Sequence, residues 1–153
     1  MIQNRPITLI ESPFSAPTEH EIIRNVYYTM LAVRDSLERG EVPYASHLFY
    51  TQMLDDNIPH ERQLGIDAGL MVGRLAELTA VYVDLGVSRG MEYGIENAKK
   101  IGRPVETRRL FDENLSTEEL AKAIFDTAKQ HNLPSELAIQ DVYGRILRSK
   151  GAN

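Results

Sequence analysis

The chain has 153 residues, 42% of them hydrophobic and 25% charged, with no cysteine and a net charge of −5. That length supports one compact domain with its own core. The missing cysteines exclude disulfides and thiolate metal sites, and the acidic balance disfavours a nucleic-acid partner, which needs a basic face. The opening MIQNRPITLIESPF has no signal-peptide layout. No apolar run is long enough to span a bilayer, so a cytoplasmic protein with no membrane partner is expected.

Residues 6–10, PITLI, are apolar and β-branched and run into the turn-like SPFSAPT. They predict a buried strand and a loop. Thr18 and Glu21 have capping-box spacing, which opens a helix. Ile22, Val26, Met30, Val33 and Leu37 form its apolar stripe, and Gly40 ends it. VPYASHLFY, residues 42–50, predicts a second strand running into a loop. Pro59 suits the first turn of the next helix, whose apolar face is Leu64, Ala68, Met71 and Leu75.

TAVYVDLG, residues 79–86, is nearly continuous in β-formers, as a central strand covered on both faces should be. SRGMEYGIENAKKIG follows as a helix, with Met91, Ile95 and Ala98 on one face and Gly102 as C-cap. Arg103 to Leu110 predicts a fourth strand. The β-α-β-α-β-α-β order implies a single parallel-sheet α/β domain of Rossmann-like or flavodoxin-like type over residues 1–112. A second capping box, Ser116 and Glu119, opens a helix over about 117–131. Asn132-Leu-Pro134 breaks it, and a last helix runs to about 149. Residues 113–153 therefore read as a C-terminal helical hairpin.

In such sheets ligands sit beyond the C-terminal ends of the strands. Three segments end strands there: Glu11-Ser12-Pro13-Phe14, Ser46-His47, and Asp84-Leu-Gly86-Val-Ser88-Arg89-Gly90. The first is equally a tight exit turn, and His47 equally a half-buried structural histidine. The third has more chemistry. Its backbone N–H groups open a helix and favour an anion. Gly86 and Gly90 allow close approach, Ser88 suits either a cap or a phosphate, and Arg89 suits bidentate phosphate recognition.

Carboxylates at hand include Glu11, Asp55, Asp56, Glu61, Asp67, Asp84, Glu92 and Glu96. Asp84 directly follows the apolar strand. Glu92 and Glu96 share a helix face, which is equally a solvated face paired with Lys99 or Lys100. Walker, GxGxxG, HExxH and GxSxG patterns are all missing, and His20, His47, His60 and His131 are dispersed. No metal and no cofactor are expected.

The segments IESPF, ASHLFYTQMLDDNIPHERQLGIDAGL and VYVDLGVSRGMEYGIENAKKIGRPVE resemble the nucleoside 2-deoxyribosyltransferase-like superfamily. That superfamily includes deoxynucleoside monophosphate N-hydrolases. The closer likeness is to small bacterial and phage-related domains of that type, and it spans roughly residues 6–110. It implies a pocket for a nucleoside, nucleotide or related ribosyl compound at the strand tips. Ser12 and Pro13, with Phe14 next, match the family's first-strand motif, and Ser88 and Gly90 its third-tip turn. Met91 follows in the same turn.

The family's nucleophilic glutamate falls four residues after that glycine, where this chain has Gly94. Glu92 and Glu96 each lie about 200° around the helix from that position. The resemblance therefore implies a module that binds a nucleotide or an ADP-ribose-like molecule without the usual catalysis, suited to sensing or sequestering a signal. The alternative is an N-glycosidic-bond hydrolase or transferase using Glu92, Glu96 or Asp84, with His47 nearby. A homo-oligomer is expected, with Tyr27, Tyr28, Met71 and the terminal helices as contact candidates.

Overall fold

The computed structural model of the protein describes residues 4–151. Four parallel strands, β1 (Ile7–Glu11), β2 (Val42–Tyr44), β3 (Leu78–Tyr82) and β4 (Val105–Arg108), form one sheet in the order β2-β1-β3-β4. Helices flank it, so the expected Rossmann-like or flavodoxin-like α/β architecture is present. The chain leaves β1 toward one edge and then crosses back to β3. This puts a topological switch point between β1 and β3, with Glu11 beside Val81 at its upper end.

Strand alternation divides the chemistry of the two faces. Ile10, Ala80 and Tyr82 join the main core beneath helix α1 (Glu19–Glu38). Leu9 and Glu11 point the other way, toward helices α3 (Pro59–Gly73) and α4 (Arg89–Lys100). Helix α1 begins where the spacing predicts, with the Thr18 hydroxyl accepting from the Glu21 amide at 3.2 Å and the Glu21 carboxylate accepting from the Thr18 amide at 3.1 Å. Tyr27 and Tyr28, candidates for a subunit contact, lie inside the core instead, 5% and 0% exposed.

Helix α3 packs differently from its sequence pattern. Leu64, Met71 and Leu75 face solvent, while Gly69 and Gly73 are its buried residues. A β-carbon at 73 would stand 3.0 Å from Leu9 Cδ1, and one at 69 would stand 3.0 Å from the Ser46 side chain. The glycine side thus lets the helix backbone approach the sheet closely.

The strand expected over 42–50 stops at Tyr44. It is an edge strand and carries Pro43, which has no N–H to give a neighbour. The chain turns at once into helix α2 (Ser46–Phe49) and a 3-10 turn (Tyr50–Gln52), where the Thr51 hydroxyl donates back to the His47 carbonyl. The strand expected over 103–110 covers only Val105–Arg108, because Leu110 and Phe111 give their amides to the Asp84 carboxylate at 2.8 Å each.

Beyond β4 the expected hairpin is three helices: α5 (Thr117–Gln130), α6 (Glu136–Val142) and α7 (Gly144–Gly151). The last expected helix is interrupted at Tyr143, which is buried and donates its hydroxyl to the Leu48 carbonyl at 2.8 Å. Leu120, Ile124, Ile139, Ile146 and Leu147 join the α1 core cluster, so these helices cover that side of the sheet. Among the described residues, no helix is long and apolar enough to cross a membrane.

Candidate functional site

The tip of β1 sends successive side chains to opposite faces, and each meets a different partner. Ser12 is buried and lies 2.6 Å from the Thr29 hydroxyl and 2.7 Å from His47 Nε2. Thr29 donates its own proton to the Asn25 carbonyl at 2.9 Å. It therefore accepts from Ser12, and Ser12 accepts from a protonated Nε2 of His47. Burial holds the His47 imidazole neutral, with its pKa pushed down to about 4. In this arrangement His47 gives a proton to the serine oxygen, whereas activating a serine requires taking one. The pair fixes α2 against β1 and α1.

Pro13 and Phe14 are buried as well. The Phe14 ring packs against Tyr143 at 5.9 Å between centroids, and its carbonyl accepts from Asn25 Nδ2 at 2.9 Å. That ring belongs to the core shared with the C-terminal helices.

Asp84 is fully occupied at the tip of β3. Oδ2 accepts from the Tyr28 hydroxyl at 2.7 Å and from the Leu110 amide at 2.8 Å; Oδ1 accepts from the Phe111 amide at 2.8 Å. The Asp84 amide in turn donates to the Tyr28 oxygen at 2.9 Å. These bonds clamp β3 to α1 and to the chain leaving β4.

The turn into α4 has the shape its sequence implies. Gly86 sits at φ +85°, in the left-handed region open to glycine. The Ser88 hydroxyl accepts from the Met91 amide at 3.3 Å and caps the helix. Met91 is buried, with its sulfur 3.4 Å from the Ser88 amide. Arg89 and Gly90 are exposed at the first turn, where unpaired amides and the helix dipole favour negative charge. Glu92 and Glu96 are also exposed.

Gly94 does not face open space. A β-carbon there would stand 2.6 Å from Cδ and 3.0 Å from Oε2 of Glu11, so the Glu11 carboxyl fills the room that the glycine leaves. Glu11 is partly buried, and among the described residues it has no hydrogen-bond donor and no ion pair. Burial pushes its pKa up to about 8, against a weaker downward pull from Arg103. Arg103 is itself buried and committed elsewhere: Nε donates to Thr79 Oγ1 at 2.8 Å and Nη1 to the Gly73 carbonyl at 2.6 Å.

The structure thus brings Ser12 to His47 and Gly94 to Glu11. Glu11 stands among the carboxylates the sequence offers, but its pairing with Gly94 does not follow from the sequence; the signals are a lone charge ending an apolar strand and a glycine inside a helix. Among the described residues, no group of three or more His, Asp or Glu side chains is placed to hold a metal ion.

A family model described as a domain of unknown function (DUF7768) matches residues 6–108. No curated protein and no solved structure matches the chain. The match takes in all four strands and both candidate tips, and the chain belongs to that family.

Proposed function

Within that family, we propose that this chain binds a nucleotide or nucleotide-derived ribosyl compound in the crevice between the tips of β1 and β3, and holds it intact. The observation that carries this reading is the state of the carboxyl groups around the crevice. Gly94 stands where the resembled enzymes carry their nucleophile. Asp84 spends both oxygens on Tyr28, Leu110 and Phe111. Glu92 and Glu96 are solvent-exposed. Glu11 is close at hand, but burial favours its neutral form, which is a poor nucleophile.

The start of α4 supports the phosphate end of such a ligand. Arg89 and Gly90 supply open amides, the helix dipole and a free-standing guanidinium beside the switch point, with Ser88 capping the helix. Cleavage of an N-glycosidic bond is the second reading, and Glu11 is the observation that favours it, as a proton-bearing acid beside the crevice. That chemistry calls for a second carboxylate in its ionised form, and none of the groups just described is placed to supply it. Holding the ligand suits a role in sensing or sequestering a nucleotide-derived signal, in one copy or in a homo-oligomer.

Arg89 gives the test. Replacing it by alanine should weaken AMP and ADP-ribose by about tenfold, the loss of one charge-assisted contact, and leave adenosine nearly unchanged. Equal losses for the phosphate ester and the nucleoside would remove Arg89 and the α4 start from the site.

A further inference from the structure

We propose that Glu11 is the side chain that reads the sugar or base of the bound compound, lying over Gly94 about one helical turn along α4 from the phosphate end. This rests on the binding reading above and adds to it a residue, a position and an orientation for the ligand.

The geometry starts from the helix. Gly90 and Gly94 are four residues apart, a rise of about 6 Å along α4. That is close to the reach from a phosphate to the ribose or base of a nucleotide. A ligand with its phosphate on the Arg89 and Gly90 amides would therefore present its next group beside Gly94. The strand brings Glu11 to that same place, at the switch point, with β3 alongside.

A glycine inside a helix costs about 1 kcal/mol relative to alanine. Here the missing side chain makes room for the end of Glu11, and any larger residue at 94 would displace it. The carboxyl gained by that arrangement has no partner among the described residues. Arg103, the cation whose charge acts on Glu11, directs Nε and Nη1 to Thr79 and Gly73. A partly buried carboxyl without a donor is costly to keep, and a ligand that hydrogen-bonds it removes that cost.

Burial also fixes what Glu11 offers. In its neutral form it presents one O–H donor next to one carbonyl acceptor. A bound ligand excludes more water and favours that form further. The matching ligand group carries an acceptor beside a donor, as the hydrogen-bonding edge of a nucleobase or a pair of ribose hydroxyls does. A glutamine has the same shape and the same donor–acceptor couple, so it is the conservative replacement.

Calorimetry at pH 7 with AMP, ribose 5-phosphate and inorganic phosphate as probes tests this on the wild type, Glu11→Gln and Glu11→Ala. The wild type should bind AMP. Glu11→Ala should weaken AMP by about tenfold or more, and Glu11→Gln by no more than about threefold. Inorganic phosphate, which reaches only the α4 start, should bind all three proteins equally. Ribose 5-phosphate assigns the contact: sensitivity to Glu11→Ala places it on the sugar, and insensitivity places it on the base. If Glu11→Ala binds AMP as the wild type does, or if Glu11→Gln is as weak as Glu11→Ala, this inference fails and the binding reading stands. If the wild type binds neither AMP nor phosphate, the binding reading itself fails, and this inference with it.

Discussion

Gly94 and Glu11 share a single space: the carboxyl from the end of β1 lies where the side chain of residue 94 would begin. The two positions come from different elements, 83 residues apart in the chain, and neither explains itself alone. The glycine weakens a helix, and the glutamate ends an otherwise apolar strand. Together they place one unpartnered carboxyl at the switch point of the sheet.

This pairing predicts a non-additive double-mutant cycle. Gly94→Ala in a tolerant helix position should stabilise by about 1 kcal/mol. In the wild-type background the new methyl group must push the Glu11 carboxyl aside, at a rotamer cost of about 0.5–1.5 kcal/mol that cancels the gain. In a Glu11→Ala background the cost is absent and the gain should appear in full. Urea denaturation of the four proteins measures the coupling. Additive effects would mean that the two residues do not compete for this space.

Glu11 should also leave a mark on the pH dependence of stability. Its folded-state pKa is pushed up to about 8 from an ordinary value of 4.5. Below 4.5 the carboxyl is protonated in both folded and unfolded chains, so it contributes no difference. Between 4.5 and 8 the unfolded chain loses its proton first, and folding stability falls as pH rises. Glu11→Gln cannot titrate. Its melting temperature should match the wild type near pH 4 and exceed it increasingly toward pH 8. A constant difference across that range would show that Glu11 titrates normally.

His47 acts in the opposite sense. Its folded-state pKa is pushed down to about 4 from 6.5 by burial. The stability it contributes is present above 6.5 and is lost as pH falls toward 4, because the unfolded chain takes up the proton first. His47→Gln should flatten the wild-type loss in that window. It should also destabilise at pH 7 by about 1–3 kcal/mol, since the buried Ser12 oxygen loses its donor. An unchanged pH profile would place His47 in a solvated setting.

Much of the fold can be read from the residues, and the reasons differ by element. The β3 run and both capping boxes are local signals, strong enough to survive any tertiary context. The strand expected to start at 42 is present but stops at Tyr44, because Pro43 and an edge position keep it short, and edge status is a property of the sheet. The stripe Leu64, Met71 and Leu75 gives α3 the correct period, yet the helix buries Gly69 and Gly73 instead. A close approach to Leu9 and Ser46 decides which side faces inward. At the candidate site, Ser88, Arg89 and Gly90 can be read because a turn and a helix start are local. The Glu11–Gly94 pairing needs the β1–β3 neighbourhood, which only the assembled sheet provides.

A buried ion pair at the far side of the sheet should matter for folding and not for binding. Arg108 Nη2 and Nη1 donate to Glu41 at 2.5 and 2.9 Å, and Nη1 lies 3.2 Å from the Tyr82 hydroxyl, which donates to Asp35 at 2.8 Å. The Arg108 hydrogen bonds hold the Glu41 carboxyl below its ordinary range. Its contribution is therefore present above the unfolded pKa and lost as pH falls through the folded one. Arg108→Met should cost about 3–5 kcal/mol by stranding Glu41, and Arg108→Met with Glu41→Leu should recover most of that loss. Equal losses in the single and double variants, measured by thermal or urea unfolding, would contradict the pairing.

The central claim is that the crevice between β1 and β3 holds a nucleotide-derived compound without breaking it. The most direct measurement incubates the protein with AMP, NAD, ADP-ribose and cyclic ADP-ribose isomers, separates protein-bound from free material, and identifies the bound compound by chromatography. The account predicts that at least one of these co-migrates with the protein and is recovered intact, with no free base formed. Release of base would contradict it and make the chain an N-glycosidase, and the absence of any bound compound would contradict it altogether.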